Sequence, residues 1–302
     1  YTHINLYIDA SEVWGLFLIH NMNDSNFMTL CDKTPIENVN IRFCRYVLGV
    51  HRKSCNAAVR GELGQYPILL IGLCHSLKYW SSLHVCDPNS LISLCLKENY
   101  NLLRTDNQCF VKCIKTLLSN CGLHNIWNNL GGINIHKSVF TLRKKMESLY
   151  NTAWFKLING EGKVSNKLKT YCQFKHNFNL SEYLTIGIPV KKRRLLTKLR
   201  ISAHSLHIET GRYNKIQAEN RLCNFCSDSV IEDEYHFMLA CSRYTNIRNK
   251  LLSTLRAHDP TFNQLDDRDT FIYLMTCNTG DCLVTNAVTN YIDQAFSLRD
   301  AI

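Results

Sequence analysis

The sequence feature that most constrains this chain is a set of four metal-ligand residue types within one short segment. Cys223, Cys226, His236 and Cys241 follow the pattern C-x2-C-x9-H-x4-C. Two thiolates separated by two residues can grip one ion from a tight turn, and the second pair projects from the next element. Four protein ligands leave no open coordination position. The pattern therefore predicts a structural zinc site that contributes on the order of 10 kcal/mol to folding.

The alternative interpretation of this segment is a group of buried thiols beside an ordinary histidine, because the chain has 15 Cys in all. Apolar residues recur at helical intervals from Tyr235 to Leu251, which predicts a helix over 233–256 with His236 in an early turn. The five-residue step from His236 to Cys241 is loose for one face of a regular helix. We therefore expect the helix to be irregular near Cys241.

Apolar spacing along the rest of the chain is mostly helical, and alternating strand patterns are scarce, so the predicted fold class is mainly α. The best linker is Asn159–Asn166, which contains Gly160 and Gly162. We expect a helical region over 1–160, a linker over 161–190 and a C-terminal region over 191–302. The other predicted helices cover 35–49, 66–84, 89–103, 109–119, 136–158, 191–208 and 284–299.

Composition limits the class of protein. The chain has 302 residues, 45% hydrophobic and 20% charged, which excludes bulk disorder and allows about two domains. The longest apolar run, Tyr66–Cys74, is too short for a membrane span. An odd number of cysteines cannot all pair within one chain, so we expect a reduced, intracellular protein. We assign it to the cytoplasm and nucleus as an expectation. Tyr1 in place of Met predicts that the numbering begins inside a longer protein.

The positive charge is concentrated in three stretches. Lys+Arg exceed Asp+Glu by 35 to 25, and the local excess is five over 41–60, five over 141–170 and seven over 191–221. Such patches favour a polyanion, RNA or DNA, over an anionic membrane. The alternative for each stretch is a solvated surface helix. The candidate nucleic-acid contacts of the third stretch are Lys191, Lys192, Arg193, Arg194, Lys198, Arg200, Arg212 and Arg221.

Several blocks of the sequence together resemble one protein family. Leu196–Arg212, the Cys223/Cys226 pair and Asp233–Cys241 resemble the zinc-binding C-terminal region of non-LTR (LINE-type) retrotransposon reverse transcriptases. The similarity is strongest at the zinc segment and extends over nearly the whole chain. The blocks that resemble the region after the polymerase palm in these elements are Ser11–Gly15, Phe43–His51 and Asn56–Gly64.

The resemblance implies a piece of the retrotransposon polyprotein that binds template RNA and target DNA during target-primed reverse transcription. Residues 1–160 would form a thumb-like or connection region, followed by a small CCHC zinc-binding helical module. Cys223, Cys226, His236 and Cys241 would be the ligands. The resemblance also implies that Lys198, Arg200 and Arg212 face nucleic acid.

The chain departs from the family in its acidic residues. A reverse transcriptase holds two catalytic magnesium ions with an aromatic-x-Asp-Asp turn, and no such segment occurs here. The pair Asp266-Asp267 lies in a segment that predicts a polar loop. P-loop, nucleophile-elbow and H-E-x-x-H motifs are also missing from the sequence, and no small-molecule substrate is indicated.

We therefore expect this chain to be noncatalytic alone, although the parent protein would be an RNA-directed DNA polymerase. Two alternatives remain open at this point. The chain could belong to a complete polymerase whose palm lies upstream of residue 1, or it could be a degenerate or co-opted copy that acts as an interaction scaffold.

Overall fold

The computed structural model describes residues 16, 27–104, 109–129, 134–160, 167–277 and 281–301. Ser11–Gly15 and residues 161–166 of the predicted linker lie outside these ranges. The described chain is mainly helical, as predicted. Its helices are α1 Phe27–Asp32, α2 Pro35–Leu48, α3 Asn56–Leu63, α4 Ile68–Leu83, α5 Leu91–Leu102, α6 Phe110–Asn120, α7 His124–Asn128, α8 Ile135–Ile158, α9 Val190–Arg200, α10 His207–Tyr213, α11 Thr245–His258, α12 Asp267–Thr276 and α13 Cys282–Asp300.

Local side-chain chemistry explains where several helices begin. Pro35 occupies the first position of α2, where its missing N–H costs nothing. The Ser90 hydroxyl accepts from the Ser93 N–H and caps α5, and the Asp281 carboxylate accepts from the Leu283 N–H and caps α13. The six predicted helices that correspond to α2, α4, α5, α6, α8 and α13 are confirmed.

The predicted helix over 191–208 is wrong in its second half. α9 ends at Arg200, and Ser202 adopts a left-handed backbone with φ of 52°. The break is held by Glu234, whose Oε1 accepts from Ser202 Oγ and His204 Nε2, each at 2.9 Å. Ser202 and His204, which the prediction placed on a continuous helix, thus hydrogen-bond to the buried Glu234 carboxylate.

The chain divides into two compact units. The first unit comprises 1–40 and 66–155, and the second comprises 41–65 and 156–302. This division differs from the predicted one because residues 41–65 belong with the C-terminal half of the chain. Residues 167–190 are also not a linker, since Leu168, Tyr171 and Tyr183 are fully buried.

The first unit has an aromatic and aliphatic core built around α4. Trp80 of α4 is 1% exposed, and its ring stacks on Trp127 with centroids 5.5 Å apart and planes 5° apart. Leu117 of α6 and Met146 of α8 are fully buried. These side chains account for the packing of α4 through α8 as one helical group.

The second unit contains a buried charged network. Arg200 donates from Nε and Nη2 to the Glu62 carboxylate at 2.9 and 3.0 Å, and Tyr183 Oη donates to the same carboxylate at 2.6 Å. Burial alone raises the pKa of Glu62, but the Arg200 charge and the hydrogen bonds from Arg200 and Tyr183 together outweigh it, and the pKa lies below its usual value. The network joins α3 to α9 through two ionised side chains.

The C-terminal helix α13 is the packing centre of this second unit. Both α9 and α11 pack against it. Ala295, Val288 and Ile292 of α13 are fully buried.

Across the described residues, no helix combines the length and the apolar character needed to cross a bilayer.

Candidate metal centre

A short hairpin presents the first two predicted ligands. Leu222 and Ile231 form an antiparallel bridge, and the Cys223 N–H donates to the Val230 carbonyl at 2.8 Å. Ser229 closes the loop in a left-handed conformation with φ of 52°. The hairpin thereby places Cys223, which is buried, and Cys226, which is half-buried, on one side of the turn.

A π-helical turn presents the other two ligands. Residues His236–Ala240 form this turn, and the Cys241 N–H donates to the His236 carbonyl five residues earlier at 2.8 Å. A π turn contains one residue more than an α turn, so side chains five apart return to the same face. The expected irregularity near Cys241 is confirmed, and it is the reason that His236 and Cys241 converge.

All four predicted ligands form one cluster. Their ligand atoms lie within 4.8 Å of one another, with Cys223 Sγ 3.9 Å from Cys241 Sγ and Cys226 Sγ 3.4 Å from His236 Nε2. His236 and Cys241 are buried. The cluster could hold one metal ion, with every ligand supplied by this chain.

Burial also shifts the pKa values of three side chains of the cluster. It raises the pKa of the Cys241 thiol to about 12, raises the pKa of Cys226 and lowers the pKa of His236. A neutral imidazole is the form that binds a metal. A dication favours the thiolate, so ion binding at this cluster is coupled to proton release.

Outer contacts fix the ligand-bearing segment. Asp233 Oδ1 accepts from the His236 N–H at 2.8 Å and so orients the start of the π turn. Glu232, 2% exposed, receives two hydrogen bonds from Arg299 of α13 at 2.9 and 3.0 Å. The Arg299 guanidinium also lies over the Phe225 ring, 4.7 Å from its centroid. One arginine therefore holds both the hairpin loop and the segment that precedes the π turn against the C-terminal helix.

Some of the predicted nucleic-acid contacts have intramolecular partners. Lys191 Nζ lies 3.1 Å from Asp293 Oδ1, and Lys192 donates to Asn290. Arg212 pairs with Glu209 at 2.7 Å. Arg221 donates to the Ile208 and Ile216 carbonyls at distances of 2.8 to 3.0 Å.

The structure corrects the prediction for Arg200. This side chain is 2% exposed, and its guanidinium donates to Glu62, Ser181 and the Met275 carbonyl. It does not project from the polar face of α9 toward a ligand. Its role in this fold is to neutralise a buried carboxylate.

Three predicted cations of α9 remain partly exposed. Arg193, Arg194 and Lys198 are half-buried, and none of them forms an ion pair with a described residue. The aliphatic part of Arg194 packs over Gly49, so close that a Cβ at Gly49 would lie 2.3 Å from Arg194 Cδ. Arg193 and Lys198 are therefore partly exposed α9 cations that have no carboxylate partner among the described residues.

The C-terminal part of the predicted helix over 233–256 is cationic, a property that the sequence prediction did not single out. α11, which follows the Cys241 ligand after one short turn, contains Arg248, Lys250 and Arg256 and no acidic residue. Lys250 and Arg256 are exposed. The signal was present in the sequence, since residues 241–258 hold four Lys/Arg and no Asp or Glu.

Comparison with known protein families, curated proteins and solved structures found no significant match to this chain.

Proposed function

We propose that this chain is a nucleic-acid-binding C-terminal region of a LINE-type reverse transcriptase, noncatalytic alone, in which one structural zinc ion organises the binding surface. It would contribute contacts to template RNA and target DNA, within the cytoplasm and nucleus. The observation that carries the proposal is the four-ligand cluster that one short turn separates from α11, whose charged side chains are all cationic.

The donor set and its spacing support zinc as the ion. Three thiolates and one imidazole are typical of structural zinc sites. Zinc–sulfur distances of about 2.3 Å and zinc–nitrogen distances of about 2.0–2.1 Å separate tetrahedral ligand atoms by roughly 3.6–3.8 Å. The 3.9 Å sulfur–sulfur and 3.4 Å sulfur–nitrogen separations are close to these values. Four protein ligands assign the ion to folding, with no position for a reacting water.

The cations of α9 and α11 support a polyanionic partner. Arg193, Lys198, Lys250 and Arg256 all belong to the second unit, as does the metal cluster. Phosphate contacts from such side chains release counterions, so binding should weaken steeply with salt.

The test combines metal content with nucleic-acid affinity on the purified chain. Cys226→Ser removes one ligand, and Cys95→Ser is the matched control because Cys95 is an exposed thiol outside the cluster. We expect one zinc per chain in the wild type and the control, and loss of both zinc and salt-dependent binding in Cys226→Ser. A wild type without zinc, or without affinity for RNA and DNA, would overturn the proposal; zinc without nucleic-acid binding would instead favour an interaction scaffold.

The contribution of α9 is tested by charge removal. Arg193→Gln with Lys198→Gln should weaken binding and reduce the slope of log affinity against log salt by up to about two. Lys78→Gln with Lys97→Gln removes the same charge from exposed positions of the first unit and serves as the control. Equal losses in both pairs would mean that net charge, and not the α9 surface, governs binding.

A further inference from the structure

Helix α2 presents two aromatic rings to solvent. Phe43 is 54% exposed and Tyr46 is 74% exposed, and the adjacent Val47 is 42% exposed. Residues three and four apart on a helix lie on one face, about 5–6 Å apart at Cβ. Neither ring packs against another ring of the described residues. Their exposure therefore leaves two neighbouring aromatic faces open to a ligand.

The stretch of sequence that contains these rings is cationic. Arg42 on the same helix and Arg52 and Lys53 in the following turn are exposed, and residues 38–61 include no Asp or Glu. The acidic residues that border this stretch are both buried. Glu37 is 1% exposed and accepts from the Ile68 N–H at 2.8 Å, and Glu62 is held by Arg200. Every exposed charged side chain from 38 to 61 is therefore positive.

We propose that this surface binds single-stranded nucleic acid, with bases stacked on Phe43 and Tyr46 and phosphates held by Arg42, Arg52 and Lys53. We call these five residues the aromatic face. The inference rests on the proposed function, since it identifies one surface on which that function would act. Aromatic rings interleaved with cations suit a single strand, because every base has a π-face to stack and each linking phosphate is anionic.

An unpaired strand fits this surface better than a duplex. Base faces in a duplex are covered by their neighbours, so a ring can stack on a base only where the strand is unpaired or splayed. Two rings one helical turn apart can serve consecutive bases. The aromatic face therefore predicts a preference for single strands over duplex of the same composition.

The experiment measures fluorescence anisotropy of labelled oligouridylate and oligothymidylate with the full chain. Phe43→Leu with Tyr46→Leu retains apolar, helix-compatible side chains and removes only the π-faces. Because base stacking contributes about 1–3 kcal/mol per base, we expect affinity to fall about tenfold or more. Phe43→Trp with Tyr46→Trp should bind at least as tightly as the wild type.

Inorganic polyphosphate separates stacking from charge, because it contains no bases. The leucine pair should bind polyphosphate like the wild type, and circular dichroism should show unchanged helicity. If the wild type binds no nucleic acid, both proposals fail. If the wild type binds and the leucine pair binds equally well, or the tryptophan pair is as weak as the leucine pair, only the inference about the aromatic face fails. Unchanged affinity would also leave the exposed rings as a protein-docking surface.

Discussion

Arg200 forms a two-point ion pair with Glu62, a residue 138 positions earlier in the chain. Both side chains are almost completely buried, and Phe174 and Tyr183 flank the guanidinium with ring centroids 4.6 and 4.9 Å from its carbon. A buried pair of this kind is expensive to break, because removal of one partner leaves an uncompensated charge in a low-dielectric site.

The first prediction concerns this pair. Glu62→Gln should destabilise the second unit by about 3–5 kcal/mol, measured as a shift of its urea unfolding transition. The double variant Glu62→Leu with Arg200→Met should cost much less than the sum of its single variants, because no charge is left unpaired. Additive costs would contradict a direct coupling between the two side chains.

The second prediction concerns His236, the only imidazole among the four candidate ligands. His236→Cys should retain one metal ion per chain, because four thiolates also form closed tetrahedral zinc sites, whereas His236→Ala should lose the ion. Mass spectrometry of metal content checks both variants. Full metal content in His236→Ala would show that the imidazole is not a ligand.

The third prediction concerns Arg299. Arg299→Met should destabilise the hairpin and π turn by about 2 kcal/mol, because Glu232 loses both of its guanidinium hydrogen bonds. Hydrogen exchange should accelerate over residues 222–241. Arg243→Met is the control, since Arg243 is exposed and makes one long contact, 3.4 Å, with the Leu298 carbonyl. Similar exchange in the two variants would argue against this role of Arg299.

The fourth prediction concerns Gly49. Its φ is +67°, and an added Cβ would meet Arg194 Cδ at 2.3 Å, so Gly49→Ala should cost about 2 kcal/mol. Adding Arg194→Ala to Gly49→Ala should recover the part of this loss that comes from the clash between the new Cβ and the Arg194 side chain. Gly187→Ala should be nearly neutral, since its Cβ would meet no atom within 4 Å. Thermal unfolding distinguishes these cases, and a neutral Gly49→Ala would contradict the left-handed turn.

The fifth prediction is a pH dependence. Burial raises the pKa of Cys277 to about 12, from an ordinary value of 9.0. Above pH 9 the unfolded thiol loses its proton while the folded one keeps it, so the folded state binds more protons and its stability falls by about 1.4 kcal/mol per pH unit. Under reducing conditions, the stability difference between wild type and Cys277→Ala should change by about 2 kcal/mol between pH 9 and 10.5. Parallel stability curves would show that this thiol ionises equally in both states.

The cluster of Cys223, Cys226, His236 and Cys241 was predictable because the residues that form it are close together in the sequence. Four ligands within 19 residues form a pattern that needs no knowledge of distant contacts, and the five-residue step between His236 and Cys241 already indicated an irregular helix. The start of α12 could also have been predicted from the sequence, because Asp266 is a typical helix-capping residue. Asp266 caps that helix by accepting from the Asp269 N–H at 2.7 Å, although the segment resembled a polar loop.

The fate of Arg200 was not predictable from its neighbourhood. Its position on the polar side of the apolar stripe in α9 indicated a surface residue, but Glu62 supplies a buried counter-charge from a remote segment. The early end of α9 has a similar cause, because Glu234 binds Ser202 and His204. Helical periodicity reports local pattern and contains no information on long-range polar partners.

The inclusion of residues 41–65 in the second unit has a consequence for biosynthesis. During translation, this segment leaves the ribosome well before Arg200, the residue that neutralises Glu62. Fully buried side chains of α3, such as Val59 and Ala58, have no completed core to enter until about 140 further residues have been made. The intervening segment, 66–155, has by then been synthesised in full. The native contacts between this early segment, 41–65, and the C-terminal half can therefore form only after segment 66–155 has been made.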